Sequence, residues 1–380
     1  MICPYCGSGD TFEYYHTIIP TVDRACDREK LSEVKLMPLV VEFCKKCGLG
    51  FNTTPLSMEY LEESYKNYVY ISPADGIGQT KFDGTLRKIS AFFSKDDELI
   101  EIGCSDGFLI EKLNSLGYNR VLGIDPSPQA EIAIKKGLNV RRVFFTDKYL
   151  GERKVDGFLL VHTFEHFENP FRILKDMISC LKEDGKIFIE VPNFEGYHHE
   201  HLFFYNAYFM DRMFHEAGLK LIDISYETVA FKKDFYLRCV AVRAENPDYP
   251  EFRISERLKD AESIAHSIAE RYKDLYERIT TFTQADKSGN VYWWGAGSAS
   301  VVFLNNIDKS ILDNKKFIVV DGDKEKLGKF IPGVGLEVYP YSILKDLKAE
   351  SLIVASSHFT EIQKTLREND ICPEKVLNIF

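Results

Sequence analysis

The chain of 380 residues lacks any apolar run near the roughly 20 residues that a membrane-spanning helix requires, so a spanning helix is not expected. It also lacks an excess of positive charge. Lys and Arg number 48 against 58 Asp and Glu, a net charge of -10, and no basic cluster interrupts that balance. Affinity for a phosphate backbone is built chiefly from lysine and arginine, so a nucleic-acid partner is not expected. The opening MICPYCGSGD has no apolar core of a secretory leader, and the expectation is a soluble, cytoplasmic protein without a membrane partner. No short-period repeat is visible. What is present is a 45% hydrophobic content with 13% aromatics, the composition of a globular chain, and a length that calls for two or three cores.

Nine cysteines without a leader do not read as a disulfide framework. Four of them form two close pairs, Cys3-Pro-Tyr-Cys6 and Cys44-Lys-Lys-Cys47. Each turn aims two thiolates at one point, and two turns complete a tetrahedral S4 site for structural Zn2+ with no position left for water. His16 and Cys26 lie between the pairs and are not assigned as ligands.

From Asp97 onward, strand and helix patterns alternate: strands over 98–102, 121–125, 158–161 and 186–191, with helices between them. That order predicts a doubly wound parallel α/β sheet, and the two strands after Gly218 predict an antiparallel finish. AENPDYPEF breaks the pattern, a helical stripe follows over about 255–282, and a second α/β unit starts at Asn290. The expected division is 1–75 (zinc unit and connector), 76–245 (cofactor-binding unit) and 246–380 (linker helix and Rossmann-like unit).

Glu101-Ile102-Gly103-Cys104-Ser105-Asp106-Gly107 joins a strand to a helix, and Asp125 ends the next strand. Glycines let backbone approach a ligand, and an acid at that position binds ribose hydroxyls. The E-x-G-x-x-x-G spacing differs from the pyrophosphate fingerprint and suits S-adenosylmethionine (SAM), which has ribose but no phosphate. With GIDPS and VDGFLLVHTFEHFENP, this segment resembles the class I SAM-dependent methyltransferases. The resemblance implies that Glu101, Gly103, Ser105, Gly107 and His162 line the cofactor site, that Asp125 takes the ribose, and that Phe145 or Asp147 takes the adenine.

Gly295-Ala296-Gly297-Ser298 opens a second strand-to-helix turn, with Asp321 ending the strand that follows. By spacing alone it fits NAD, a nucleotide-linked substrate or a plain turn. The paired cysteines, the SAM loop, HTFEHF, HEHLFFY, WGAGSAS and VVDGDKEKLGKFIPGVGLEVYP together resemble the three-domain sugar C-methyltransferases, across nearly the whole chain. That resemblance implies a nucleotide-linked keto sugar as substrate. It makes His201 the base that forms an enolate, Glu200 its supporting carboxylate, and His166 an aid to the enolate.

The family pattern Tyr-His-Glu-His is replaced here by His198-His199-Glu200-His201, which makes His198 a candidate donor in the tyrosine's place and leaves the acceptor atom open. A polar loop and a second metal site are the competing readings of the histidine cluster. Tyr65, Tyr68 and Tyr70 read as aromatic packing before they read as a lid. The rival functions are O- or N-methyl transfer to a related sugar precursor, RNA modification, and an NAD-using oxidoreductase. Oligomeric state is not legible.

Overall fold

The structure, a computed structural model, describes residues 1–22, 24–57, 77–196, 200–229, 232–244, 251–287, 289–356 and 358–379. Tyr65, Tyr68, Tyr70 and His198 lie outside the described residues.

The N-terminal unit contains an antiparallel sheet that the cysteine spacing did not suggest. Strands β1 (Thr11–Pro20), β2 (Leu36–Cys44) and β3 (Gly50–Asn52) run side by side. Leu39, Val41 and Phe43 alternate inward along β2 and are fully buried, the two-residue period of a strand with one covered face.

The middle unit is a seven-stranded sheet. Its parallel part is β4 (Leu99–Ile102), β5 (Val121–Ile124), β6 (Val140–Arg141), β7 (Val155–Val161) and β8 (Leu181–Pro192). A short strand β9 (Phe203–Phe204) leaves this sheet to join β3. The helix Ala207–Ala217 follows; Asn206 caps its start and Gly218, at φ +86°, closes it in the left-handed conformation that glycine adopts freely. Strands β10 (Leu219–Val229) and β11 (Lys232–Arg243) then complete the order β10-β11-β8-β7-β4-β5-β6, with β11 antiparallel to both neighbours. The chain turns from β4 toward β5 on one side and returns to β7 on the other, so the switch point lies between Ile102 and Val161. Ligands of open α/β sheets sit outside the carboxyl ends of the strands at such a point.

The C-terminal unit is a five-stranded parallel sheet of β12 (Asn290–Trp294), β13 (Lys316–Asp321), β14 (Val338–Pro340), β15 (Ser351–Val354) and β16 (Lys375–Asn378), ordered β14-β13-β12-β15-β16. The 35-residue helix Glu251–Ala285 precedes it. Ala261, Ala265, Ile268, Tyr272, Leu275 and Ile279 of its stripe are buried in one core with Leu39, Phe43, Trp293 and Phe303, whereas Ile264 is 45% exposed. One hydrophobic cluster thus spans the N-terminal sheet, the linker helix and the C-terminal unit. Backbone contacts reinforce it: Cys26 N donates to Phe330 O at 3.0 Å and Phe330 N to Cys26 O at 2.8 Å, while the Asn306 amide pairs with both backbone groups of Ile18 at 2.8 Å.

Candidate active site

The four paired cysteines converge. Cys3 Sγ lies 3.6 Å from Cys47 Sγ, and Cys6 Sγ 3.6 Å from Cys44 Sγ. A tetrahedron of sulfurs about 2.3 Å from a central ion has edges of about 3.8 Å, so the set can close on one metal with little movement. Hydrogen bonding by Cys3 and then Cys47 pushes the Cys44 thiol below its ordinary range, while the same contacts push Cys3 and Cys47 above theirs.

This knuckle is docked on the helix Ala207–Ala217. Asn206 Nδ2 donates to Gly48 O at 2.7 Å, Arg212 reaches Lys46 O at 3.3 Å, and the Tyr5 ring meets Phe209 edge-on at 4.9 Å. The segment carrying His201 lies between the two units. Asn52 N donates to Leu202 O at 3.0 Å from the β3 side, and Leu202 N donates to Glu165 O at 3.0 Å on the other. Gly196 is required here, because a Cβ on it would fall 2.4 Å from His201 Nδ1.

At the switch point Gly103 has φ +79° and Gly107, which caps the helix Phe108–Ser115, has φ +77°. Asp125 is 7% exposed and locks the turn: its carboxylate accepts from Ser105 N at 2.8 Å and from Ser127 N at 2.7 Å. A carboxylate offers about four lone-pair sites, so two remain for a ribose. Glu101 is fully buried, and desolvation, with lesser contributions from Asp125 and Asp106, raises its carboxyl to about 8.

A raised carboxyl pKa favours the protonated folded form. The resulting stabilisation is complete below about 4.5 and is lost as the pH rises through about 8. If SAM lies against this turn, ionised Glu101 adds a negative charge beside it, and SAM is then expected to bind about tenfold tighter at pH 9 than at pH 7, through titration of a group near 8. Isothermal titration calorimetry checks this. Glu101→Gln should remove that part of the pH dependence, and an unchanged profile in the variant would assign it elsewhere.

Across the crevice, β7 is followed directly by His162, a non-glycine residue at φ +53°. Its Nε2 lies 3.0 Å from Glu190 Oε1. Glu190 is fully buried on β8; its other oxygen receives Arg238 Nε at 2.5 Å and Thr85 Oγ1 at 2.7 Å, and Arg238 also bonds Glu227. A buried carboxylate and guanidinium tolerate this position because they satisfy one another. The His166 and His201 rings stand edge to face with centroids 4.9 Å apart. The carboxylate beside His201 is Glu165, whose Oε1 is 3.9 Å from His201 Nε2 and 3.7 Å from His162 Nδ1; Glu200 lies in a partly exposed turn. Glu165, His166 and His201 offer ligand atoms all within 4.8 Å of one another.

The structure therefore brings His162, His166 and His201 to one place, with Glu101, Gly103, Ser105, Gly107 and Asp125 forming the neighbouring turn. Phe145 is buried against Phe158 with ring centroids 5.5 Å apart. The Asp147 carbonyl accepts from Cys180 Sγ at 3.7 Å, next to where β8 begins. Glu165 and Glu190 were not singled out in the sequence, although Glu165 stands inside HTFEHF and Glu190 interrupts an apolar strand.

The second glycine turn repeats the lock of the first. Asp321 accepts from Ala296 N at 2.8 Å and from Asp323 N at 2.8 Å, and a Cβ on Gly295 would fall 2.5 Å from Ala355 O.

A family profile described as "Methyltransferase domain" matches residues 76–224. Residues 76–224 thus match a methyltransferase domain, and the parallel-rich sheet that carries them has the class I methyltransferase fold. That domain is the fold of an enzyme. A tRNA U34 carboxymethyltransferase of Campylobacter hominis is 23% identical over 106 residues, which cover 26% of this chain and 37% of that protein. The chain thus spans just over a third of the length of this curated relative. Among solved structures, the magnesium protoporphyrin IX methyltransferase ChlM from Synechocystis with bound SAH aligns with a TM-score of 0.40 at 12% identity, covering 50% of this chain and all of that one. A SAM-dependent methyltransferase from Aquifex aeolicus aligns with a TM-score of 0.35 at 17% identity, covering 42% of this chain and 87% of that one. Among the described residues, no helix is long and apolar enough to cross a membrane.

Proposed function

We propose that this protein transfers the methyl group of SAM to a nucleotide-linked sugar, with a structural zinc ion on Cys3, Cys6, Cys44 and Cys47. The observation that carries the reading is the juxtaposition, at one switch point, of the Gly103–Asp125 turn with His162, Glu165, His166 and His201. A methyl donor held by the turn presents its sulfonium to the crevice, and the imidazole cluster prepares the acceptor.

Two acceptor atoms fit. In a 4-keto sugar the carbon next to the ketone is acidic; His201 removes its proton, the enolate carbon attacks the methyl group, and the C–S bonding pair leaves on sulfur as S-adenosylhomocysteine (SAH). A hydroxyl acceptor is favoured by a different observation: the carboxylate facing His201 is Glu165, which together with His166 makes a metal-ligand set. Incubation with methyl-labelled SAM and a panel of TDP- and GDP-linked keto and hydroxy sugars, read by mass spectrometry and NMR, tests the proposal. Methyl incorporation into one of them is expected. Failure to bind SAH, or transfer only to RNA, would end the nucleotide-sugar reading.

A further inference from the structure

Glu165 is 1% exposed, and neither of its carboxylate oxygens accepts a hydrogen bond. Burial of an ionised carboxylate on these terms is unfavourable unless a cation or a proton neutralises it. The imidazoles do not do so directly. Both His162 Nδ1 at 3.7 Å and His201 Nε2 at 3.9 Å face the same oxygen, about 1 Å beyond the roughly 2.8 Å of a charge-assisted hydrogen bond. What the side chains form instead is a cluster of possible metal ligands.

Glu165, His166 and His201 offer one ligand atom each, all within 4.8 Å of one another, and the two rings are inclined at 84° to each other. Two imidazoles and one carboxylate suit a divalent first-row ion and leave coordination positions open. Donors about 2.1 Å from such an ion sit about 3.0 to 3.4 Å apart, so His201 and Glu165 need close by less than 1 Å. The backbone that would carry the movement is already fixed, with Leu202 N bonded to Glu165 O.

We propose that Glu165, His166 and His201 bind a divalent cation whose open positions hold oxygens of the acceptor. The inference rests on the methyl-transfer reading and decides its acceptor atom. An imidazole whose lone pair is on a metal cannot take a carbon-bound proton, whereas a sugar hydroxyl on the cation would be acidified: its proton would pass to solvent, its oxygen would bond to the methyl carbon, and the C–S bonding pair would leave on sulfur as SAH. The natural acceptor is then a pair of neighbouring oxygens, such as a vicinal diol.

The test uses the full chain, with Mn2+ alone as the probe, because this hard ion avoids the thiolates of the cysteine site. Electron paramagnetic resonance titration should show one Mn2+ bound per chain, with affinity lowered at least tenfold in Glu165→Gln and likewise in His166→Asn. SAH binding, measured on the same samples, reports the fold and the methyl-transfer reading separately. If the wild-type chain binds SAH but leaves Mn2+ free at millimolar concentration, or binds it equally well in both variants, the cation site is refuted and methyl transfer stands. If Mn2+ binds as expected and SAH does not, the cation site stands and the methyl-transfer reading fails.

Discussion

Gly103→Ala is expected to weaken SAH binding by at least about a hundredfold, roughly 2.7 kcal/mol. Two effects add at this position. The backbone holds φ +79°, where a Cβ is disfavoured by about 1 kcal/mol. The added methyl would also fall 2.2 Å from Thr163 Oγ1 and 2.5 Å from Thr163 Cγ2, far inside contact distance. Thr163 directly follows His162, so relief of the clash moves the loop after β4 away from the loop after β7 and opens the crevice where a cofactor would lie. Titration calorimetry measures the loss. Thr163→Gly in the same chain should recover part of it, since it removes the atoms the methyl meets. An affinity within threefold of wild type in Gly103→Ala would show that no ligand lies against this turn.

Cys44→Ser is expected to remove bound zinc and to lower methyl transfer at least about a hundredfold, while SAH affinity changes less than about tenfold. A structural zinc site contributes on the order of 10 kcal/mol in small domains, comparable to the stability of a whole domain. Its loss frees the turns that hold Asn206 and Arg212 and, through β3, the strand β9 that follows His201. The Gly103–Asp125 turn is built on β4 and β5, remote in sequence from the cysteines, and keeps its hydrogen bonds. Zinc content by mass spectrometry, transfer rate and SAH titration separate the three effects. One zinc per chain is expected in the wild type; a chain that purifies without zinc and remains active would remove the structural role assigned to the cysteines.

Much of the middle unit was legible because its signals are local. The expected strands over 98–102, 121–125 and 186–191 correspond to β4, β5 and part of β8, and the antiparallel finish corresponds to β10 and β11. Most of the helical stripe packs inward as its period requires, Ile264 excepted. The N-terminal sheet was missed because β1 and β2 are long strands joined by a segment without a hairpin turn, and β9 has only two residues. Motif position points to Glu200 as the supporting carboxylate, whereas the structure also sets Glu165, from a segment 36 residues earlier in the chain, 3.9 Å from His201 Nε2. Adjacency in sequence gave no measure of that distance.

By itself, the sequence determined the features encoded within a few residues of one another: paired thiols, the glycine turn with its acid one strand later, and the alternation of apolar strands with amphipathic helices. Tertiary structure alone decided which groups meet. The His201 segment is pinned between β3 and the Glu165 turn, and Glu190 finds Arg238 directly opposite it on the neighbouring strand. These contacts join residues dozens of positions apart, where only the packing of the three units sets the distances, and on those distances the chemistry of the crevice depends.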